Sequence, residues 1–242
     1  FTGQLATEQL RLEFKDGSVV VPNGAPLLLQ VSADASAPKI PEICTLYYRS
    51  EDGTRGRANL RRIGGPLDGW QQFHLDGPPL DGVNSNLVLD VIGLDARLRN
   101  LTLETVERAV ITDLQLECQY PTYLLDSLSV RAKRESLPYR TGLKIQEGTQ
   151  CTLVGRCNAI LREAQYTRRS PANSDSGQPI EILQATTDND VFRIPLGVLR
   201  ESQLVEIRLE DQFGLSSEQV MRYNLIVVPD LVPEVESRLE GI

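Results

Sequence analysis

The side chains best equipped for nucleophilic, redox or metal chemistry in this 242-residue chain are four cysteines, Cys44, Cys118, Cys151 and Cys157, and a lone histidine, His74. A structural zinc site needs four thiolate or imidazole ligands, usually in closely spaced pairs. No C-x-x-C pair occurs, so neither a zinc site nor any other metal or cofactor is expected. Cys151 and Cys157 lie six positions apart on one strand-like run. Extended, that is about 20 Å, far outside disulfide reach. Cys118 shares an inward parity with Leu114 and Leu116 and faces the neighbouring run. A Cys118–Cys157 bond is the first expectation and Cys118–Cys151 the second, with four buried free thiols as the alternative. Cys44 has no partner in its own half and is expected to be reduced and buried.

A Ser-His-Asp or Cys-His nucleophile would have to use His74. That residue lies in the alternating run Trp70-Gln71-Gln72-Phe73-His74-Leu75-Asp76. Trp70, Gln72 and His74 share one face and Phe73 and Leu75 the other, which predicts a solvent-facing strand histidine. No GxSxG elbow, P-loop or GxGxxG turn is present. Asp188-Asn189-Asp190 and Asn173-Ser174-Asp175-Ser176-Gly177 look superficially like calcium loops. Neither has the alternating ligand spacing closed by a Glu, and turn chemistry explains both. Arginines cluster from Arg49 to Arg62, with Arg55, Arg57 and Arg61 among them, and again at Arg168 and Arg169. They fit either a docking patch for an acidic partner or solvated hairpin ends that blunt an edge strand. Trp70 offers either a glycan contact or cover for a sandwich edge. None of these patterns predicts an enzyme.

The elements that must carry these residues are short strands between Gly, Pro, Asn and Asp clusters. Clear runs are Pro26–Val31, Ile43–Tyr48, Leu87–Ile92, Cys151–Val154, Val205–Leu209 and Tyr223–Val228. A segment with helical period is nearly absent. The best candidate, Ala6 to Phe14, reads equally well as a leading strand. Parity places Leu27, Leu29, Val31 and Ala33 on one inward face, and Cys151, Leu153, Gly155 and Cys157 on another.

The two halves also resemble each other. Val19–Gly24 followed by Ala25–Leu29 matches Leu143–Gly148 followed by Thr149–Leu153, 124 positions on. Each is a strand, a Gly turn and another strand. Leu87–Leu98 matches Leu204–Leu215, each a strand running into an acidic turn. The repeat predicts an all-β fold of two tandem sandwiches, residues 1–111 and 112–242, joined with almost no linker. Val227 to Val235 reads as the start of a further repeat, and Phe1 opens in mid-pattern, so the chain is expected to be a segment of a longer protein.

Composition bounds the partners. Hydrophobic residues make up 40% and charged residues 24%, enough for two cores. Net charge is −8, with −5 in residues 1–120 and −3 in residues 121–242. Neither half is a basic module, which disfavours nucleic acid and anionic lipid. No run approaches the roughly 20 apolar residues of a membrane-spanning helix.

The strand–Gly–strand openings, the Asp211-Gln212-Phe213-Gly214-Leu215 turn and the Val228-Pro229-Asp230…Pro233-Glu234-Val235 handover resemble tandem immunoglobulin-like ectodomain segments of large bacterial membrane proteins. Asp95-Ala96-Arg97-Leu98 departs from the turn motif, with Arg where an aromatic is usual and no Gly. The resemblance implies two immunoglobulin-like sandwiches on the periplasmic or extracellular side of a bacterial membrane, beside an anchor outside the segment. It carries no catalytic residue. The expected function is a structural or interaction module for an envelope or extracellular protein. The alternatives are a carbohydrate-binding module and an accessory domain of a hydrolase.

Overall fold

The structure is a computed structural model and describes residues 2–6, 11–13, 16–127, 133–170 and 181–230. The chain divides into two units, Phe1–Glu107 and Arg108–Ile242. The boundary thus falls after Glu107 and not after residue 111. Ala109 is already buried in the second core, and Asn158 of the second unit accepts the Val110 N–H at 2.8 Å.

The described residues of unit 1 form nine strands: β1 (Thr2–Ala6), β2 (Arg11–Glu13), β3 (Ser18–Pro22), β4 (Leu28–Asp34), β5 (Cys44–Ser50), β6 (Arg55–Leu67), β7 (Trp70–Leu75), β8 (Leu87–Gly93) and β9 (Ala96–Val106). One sheet runs β2-β1-β4-β7-β6 and the other β6-β5-β8-β9-β3. The long strand β6 belongs to both: Arg55 to Leu60 pair with β5, and Arg61 to Leu67 pair with β7. The register breaks between Ile63 and Leu67, where Gly64, Gly65 and Pro66 interrupt the ladder. Missing side chains and a missing donor loosen a strand there.

Unit 2 contains β10 (Ile111–Gln119), a short helix α1 (Thr122–Ser127), β11 (Arg134–Pro138), β12 (Lys144–Gln146), β13 (Gln150–Cys157), β14 (Leu161–Arg169), β15 (Leu183–Gln184), β16 (Thr186–Asp188), β17 (Val191–Val198), β18 (Gln203–Asp211) and β19 (Met221–Val228). Its sheets run β11-β10-β13-β17-β16 and β12-β19-β18-β14-β15. The helix has six residues, too few for a periodic signal, which is why the sequence did not predict it. Most of the stretch from Ala6 to Phe14 lies outside the described residues.

Both units follow the immunoglobulin-like plan, in which the first, second, fifth and fourth strands face the third, sixth and seventh. In unit 2 these are β10-β13-β17-β16 and β14-β18-β19. In each unit a short strand adds in parallel to the last one, β3 to β9 and β12 to β19. The segments 124 positions apart occupy the same places. β3 leads through Gly24 into β4, and β12 through Gly148 into β13; these glycines have φ of 74° and 82°. A side chain there would be strained.

Alternation fills the cores. Leu29, Val31 and Phe73 are fully buried in unit 1, and Leu153, Phe192 and Ile194 in unit 2. Each buried aliphatic side chain is worth about 1.5–3 kcal/mol relative to exposure. Phe192 lies across from Gly155 in the β13–β17 ladder, and a Cβ on Gly155 would fall inside its ring. Gly56 meets the Tyr48 ring in the same way across β5–β6.

Candidate interaction surface

With both inner faces filled by apolar side chains, the outer faces, edges and turns hold the chemistry. In unit 1 the outward residues of β5 are Thr45, Tyr47 and Arg49, the parity opposite to buried Cys44 and Leu46. β6 sets Asn59 beside Thr45, Arg57 beside Tyr47 and Arg55 beside Arg49. Cross-strand neighbours on one face have Cβ atoms about 4.5–5.5 Å apart, so Arg49, Arg55 and Arg57 form one cationic cluster on the outer face beside Tyr47. Tyr47 is 43% exposed. Arg97 of β9 extends the same outer face beside Ile92.

No ion pair relieves this cluster: all five among the described residues belong to unit 2. The cause is the content of β8. Its outward side chains are Val88, Asp90 and Ile92. The single carboxylate, Asp90, accepts the backbone N–H of Asn100 at 2.7 Å. Asn100 has φ of 55°, in the left-handed region, and Asp90 holds that bulge within β9.

On the equivalent face of unit 2, Glu206 and Glu210 are paired with arginines, although exposed Arg208 has no ion pair among the described residues. β18 points Glu206, Arg208 and Glu210 outward. Glu206 is bracketed by Arg169 at 2.6 Å and Arg222 at 2.9 Å. Burial raises the pKa of Glu206, but the two guanidinium groups outweigh it and hold it below the usual carboxylate value. Arg168 donates to Gln203 Oε1 at 3.1 and 2.8 Å and to the Leu196 carbonyl at 2.8 Å. Arg162, Arg156 and Arg193 pair with Glu210, Asp190 and Glu117.

The predicted contact residues therefore separate. Arg55 and Arg57 share the open face. Arg61 pairs across from His74 in the other sheet. Trp70, 40% exposed, stands opposite Leu67 at the end of the β6–β7 hairpin. Arg168 and Arg169 are occupied by unit 2 itself. Tyr47 and Arg97 were missed by the sequence reasoning. Tyr47 was legible, since its parity in β5 is that of Thr45 and Arg49. Arg97 was not, because a register shift in β8–β9 decides its row.

His74 is half-buried and not freely solvent-facing, with Gln30 and Arg61 as its cross-strand neighbours. Burial lowers its pKa, opposed by the charge of Asp76. Its buried Nε2 has no hydrogen-bond partner among the described residues, so it holds no nucleophile there. Asp188-Asn189-Asp190 is a turn: Asn189 has φ of 52°, Asp188 accepts its side-chain amide, and Asp190 pairs with Arg156. Asn173 to Gly177 lie outside the described residues. Two shallow grooves of about 360 and 380 Å³ lie on unit 2, one bordered by Asp113, Glu117, Arg156 and Arg193, the other by Glu117, Arg134, Glu135 and Gln150.

The cysteines correct the first disulfide expectation. Cys118 lies directly across from Cys151 in the β10–β13 ladder, with sulfurs 3.7 Å apart. Cys157 is at the other end of β13, opposite Ile111. The register runs Cys118 toward the start of β13, about 20 Å from Cys157. Cys44 is buried in unit 1, and burial pushes its thiol up to about 11.

No protein-family model matches the chain, and no curated protein matches it. Among solved structures, a two fibronectin type-III domain segment from chicken tenascin is similar, at 12% identity, covering 85% of this chain and 94% of its own, with a TM-score of 0.31. A chimeric titin Z1Z2 is 10% identical, covering 96% and 100%, with a TM-score of 0.26. A tetra-tandem repeat from the extending region of a large adhesion protein is 13% identical, covering 86% of this chain and 48% of its own, with a TM-score of 0.26.

Proposed function

We propose that the chain is a non-catalytic structural and interaction module. It is a tandem immunoglobulin-like segment on the extracytoplasmic side of a bacterial membrane, held there by an anchor outside the segment. It docks an envelope or extracellular protein through the open arginine face of unit 1. One observation carries the reading: Arg49, Arg55 and Arg57 share an outer face with exposed Tyr47 and have no ion pair among the described residues, whereas on the equivalent face of unit 2 Arg162, Arg169 and Arg222 are paired with Glu210 and Glu206. An arginine fork with an aromatic beside it favours a carboxylate-bearing protein surface, through bidentate hydrogen bonds and ring contact.

Carbohydrate binding has less support. It needs aromatics sharing a face with Trp70, and the other exposed aromatics among the described residues, Tyr47, Tyr123 and Phe213, lie on other elements. The test titrates the full chain with poly-L-glutamate as an acidic probe. Replacing Arg49, Arg55 and Arg57 with Ala is expected to weaken binding about tenfold or more, and added salt to weaken the wild type likewise. Replacing the paired Arg156, Arg162 and Arg193 instead is expected to change it less than about twofold. Equal losses from the two triple variants would show that net charge alone matters and would overturn the assignment. The coding sequence flanking the segment tests the anchorage.

A further inference from the structure

We propose that Cys118 and Cys151 are a disulfide-forming pair, closed across β10 and β13 by a thiol–disulfide oxidant as the chain folds. The inference rests on strand register and side-chain geometry, and holds whether or not the arginine face binds a partner.

Cys118 and Cys151 are directly opposed in an antiparallel ladder. Such pairs have Cα atoms about 4.5–5.5 Å apart, inside the roughly 4.4–6.8 Å window that a disulfide spans. Their sulfurs, at 3.7 Å, already point at each other. Bonding distance is about 2.05 Å, so the remaining approach is under about 2 Å and is met by rotation about the Cα–Cβ bonds with the ladder intact. Among the described residues, the other acceptors of these thiols are nearby backbone carbonyls, Leu116 for Cys118 and Thr149 for Cys151. No competing thiol is near in the fold: Cys157 is opposite Ile111, and Cys44 is in the core of unit 1.

The chemistry balances with a low-molecular-weight disulfide such as oxidised glutathione. One cysteine thiolate attacks a sulfur of the oxidant, forms a mixed disulfide and expels one thiolate, which takes up a proton. The second cysteine thiolate attacks the protein sulfur of that mixed disulfide and expels the second. Two protein thiols are oxidised and one disulfide is reduced to two thiols. Either cysteine can make the first attack while the ladder is open; in the closed ladder the Cys151 S–H stabilises the Cys118 thiolate and lowers its pKa against the opposing effects of burial and Glu135. The same contact, with burial, raises that of Cys151.

Access sets the timing. Cys118 is 3% and Cys151 1% exposed. The oxidant therefore meets them before β10 closes on β13, or during a local opening. Once formed, the bond is shielded from reductant by the same packing. It ties together residues 33 positions apart, and constraining a loop of that size is expected to raise the melting temperature of unit 2 by roughly 10 °C.

The test refolds the reduced, denatured full chain in a glutathione redox buffer, alkylates the free thiols and maps linked peptides without reduction. The expected result is a Cys118–Cys151 link, alkylated Cys44 and Cys157, and the upward melting shift relative to chain refolded in reductant. Cys151→Ala is expected to abolish link and shift together. A chain that melts cooperatively yet has four alkylated thiols overturns the proposal, as does a link that contains Cys157 or Cys44. The wild-type map decides the matter even where the variant fails to fold.

Discussion

On the outer face of β5, β6 and β8 in unit 1, three arginines share the surface with Tyr47 and have no ion pair among the described residues. On the matching face of β14, β18 and β19 in unit 2, Arg169 and Arg222 close on Glu206. The strand plan is the same, and so is the inward alternation that buries Leu89 and Val91 in β8 and Ile207 and Leu209 in β18. The difference lies in the outward residues of the sixth strand: Val88, Asp90 and Ile92 against Glu206, Arg208 and Glu210. Inward positions are constrained by packing, whereas outward ones are free to be charged, paired or left open. A paired face contributes modestly to stability and cancels its own field. An open face contributes repulsion between like charges and leaves its hydrogen-bond donors for something else.

The comparison is tested most severely at the glycines that both units place against an aromatic ring. Gly155→Ala drives a methyl group into Phe192, which is fully buried and has nowhere to move. It is expected to cost about 3 kcal/mol or more, at or above the upper end for overpacking. Gly56→Ala meets Tyr48, which is only half-buried and can swing outward. It is expected to cost about 1 kcal/mol. Denaturation followed by Trp70, the chain's one tryptophan, reads unit 1; hydrogen exchange of the β13 amides reads unit 2. Equal costs in the two units would remove the claim that the second core is the less yielding at this point.

Next come two aspartates that hold irregular backbone, Asp211 in the turn before the last strand of unit 2 and Asp90 at the bulge within the last strand of unit 1. Asp211 is buried, and one of its oxygens accepts the N–H groups of Phe213 and Leu215, both at 2.9 Å. Asp211→Ala leaves the buried Leu215 donor and the part-buried Phe213 donor unpaired and is expected to cost about 2–3 kcal/mol. Asp90 of unit 1 serves Asn100 at an exposed position, so Asp90→Ala is expected to cost about 1 kcal/mol. Denaturant midpoints of the two variants check the order.

These cases also show what the sequence makes legible. Alternation identified Leu27, Leu29 and Val31 as core, and equally Cys151, Leu153 and Cys157, because one buried face imposes period two. The Gly24 and Gly148 turns were legible because few other residues tolerate their φ. Register was not legible. Parity put Cys118 on the inner face, but only the ladder decides that Cys151, and not Cys157, lies opposite. The same ignorance hid the strand switch in β6, which separates Arg61 from Arg55 and Arg57 although all three share a parity. Ion pairing was equally hidden, since Glu206 is 37 positions from Arg169.

Glu206 provides a smaller, pH-dependent contrast. Its side chain is 11% exposed, but Arg169 and Arg222 are 39% and 70% exposed, so solvent screens the pair. Glu206→Gln is expected to cost about 1 kcal/mol near neutrality. Its pKa is depressed below 4.5 in the fold. The contribution is therefore fully present above pH 4.5 and is lost as pH falls through the folded value. Hydrogen-exchange stability of β18 measured from pH 7 to 3 is expected to fall less steeply in Glu206→Gln than in the wild type. Identical acid slopes would mean that the pair is electrostatically idle.

The smallest effect separates stability from binding. Arg49 and Arg55 are directly opposite, and like charges so placed repel. Arg55→Ala is thus expected to leave unit 1 unchanged or more stable by about 0.2–0.5 kcal/mol, and to reduce the gain in stability that wild type shows on adding salt. Arg169→Ala, which strips a partner from Glu206, is expected to shift unit 2 in the opposite direction by a similar or larger amount. Trp70 fluorescence and β18 exchange measure the two. If Arg55→Ala instead destabilises unit 1, then that side chain is held by packing along its stem and is not a free donor. The cluster beside Tyr47 would then be part of the scaffold and not a surface kept open at some cost to the fold.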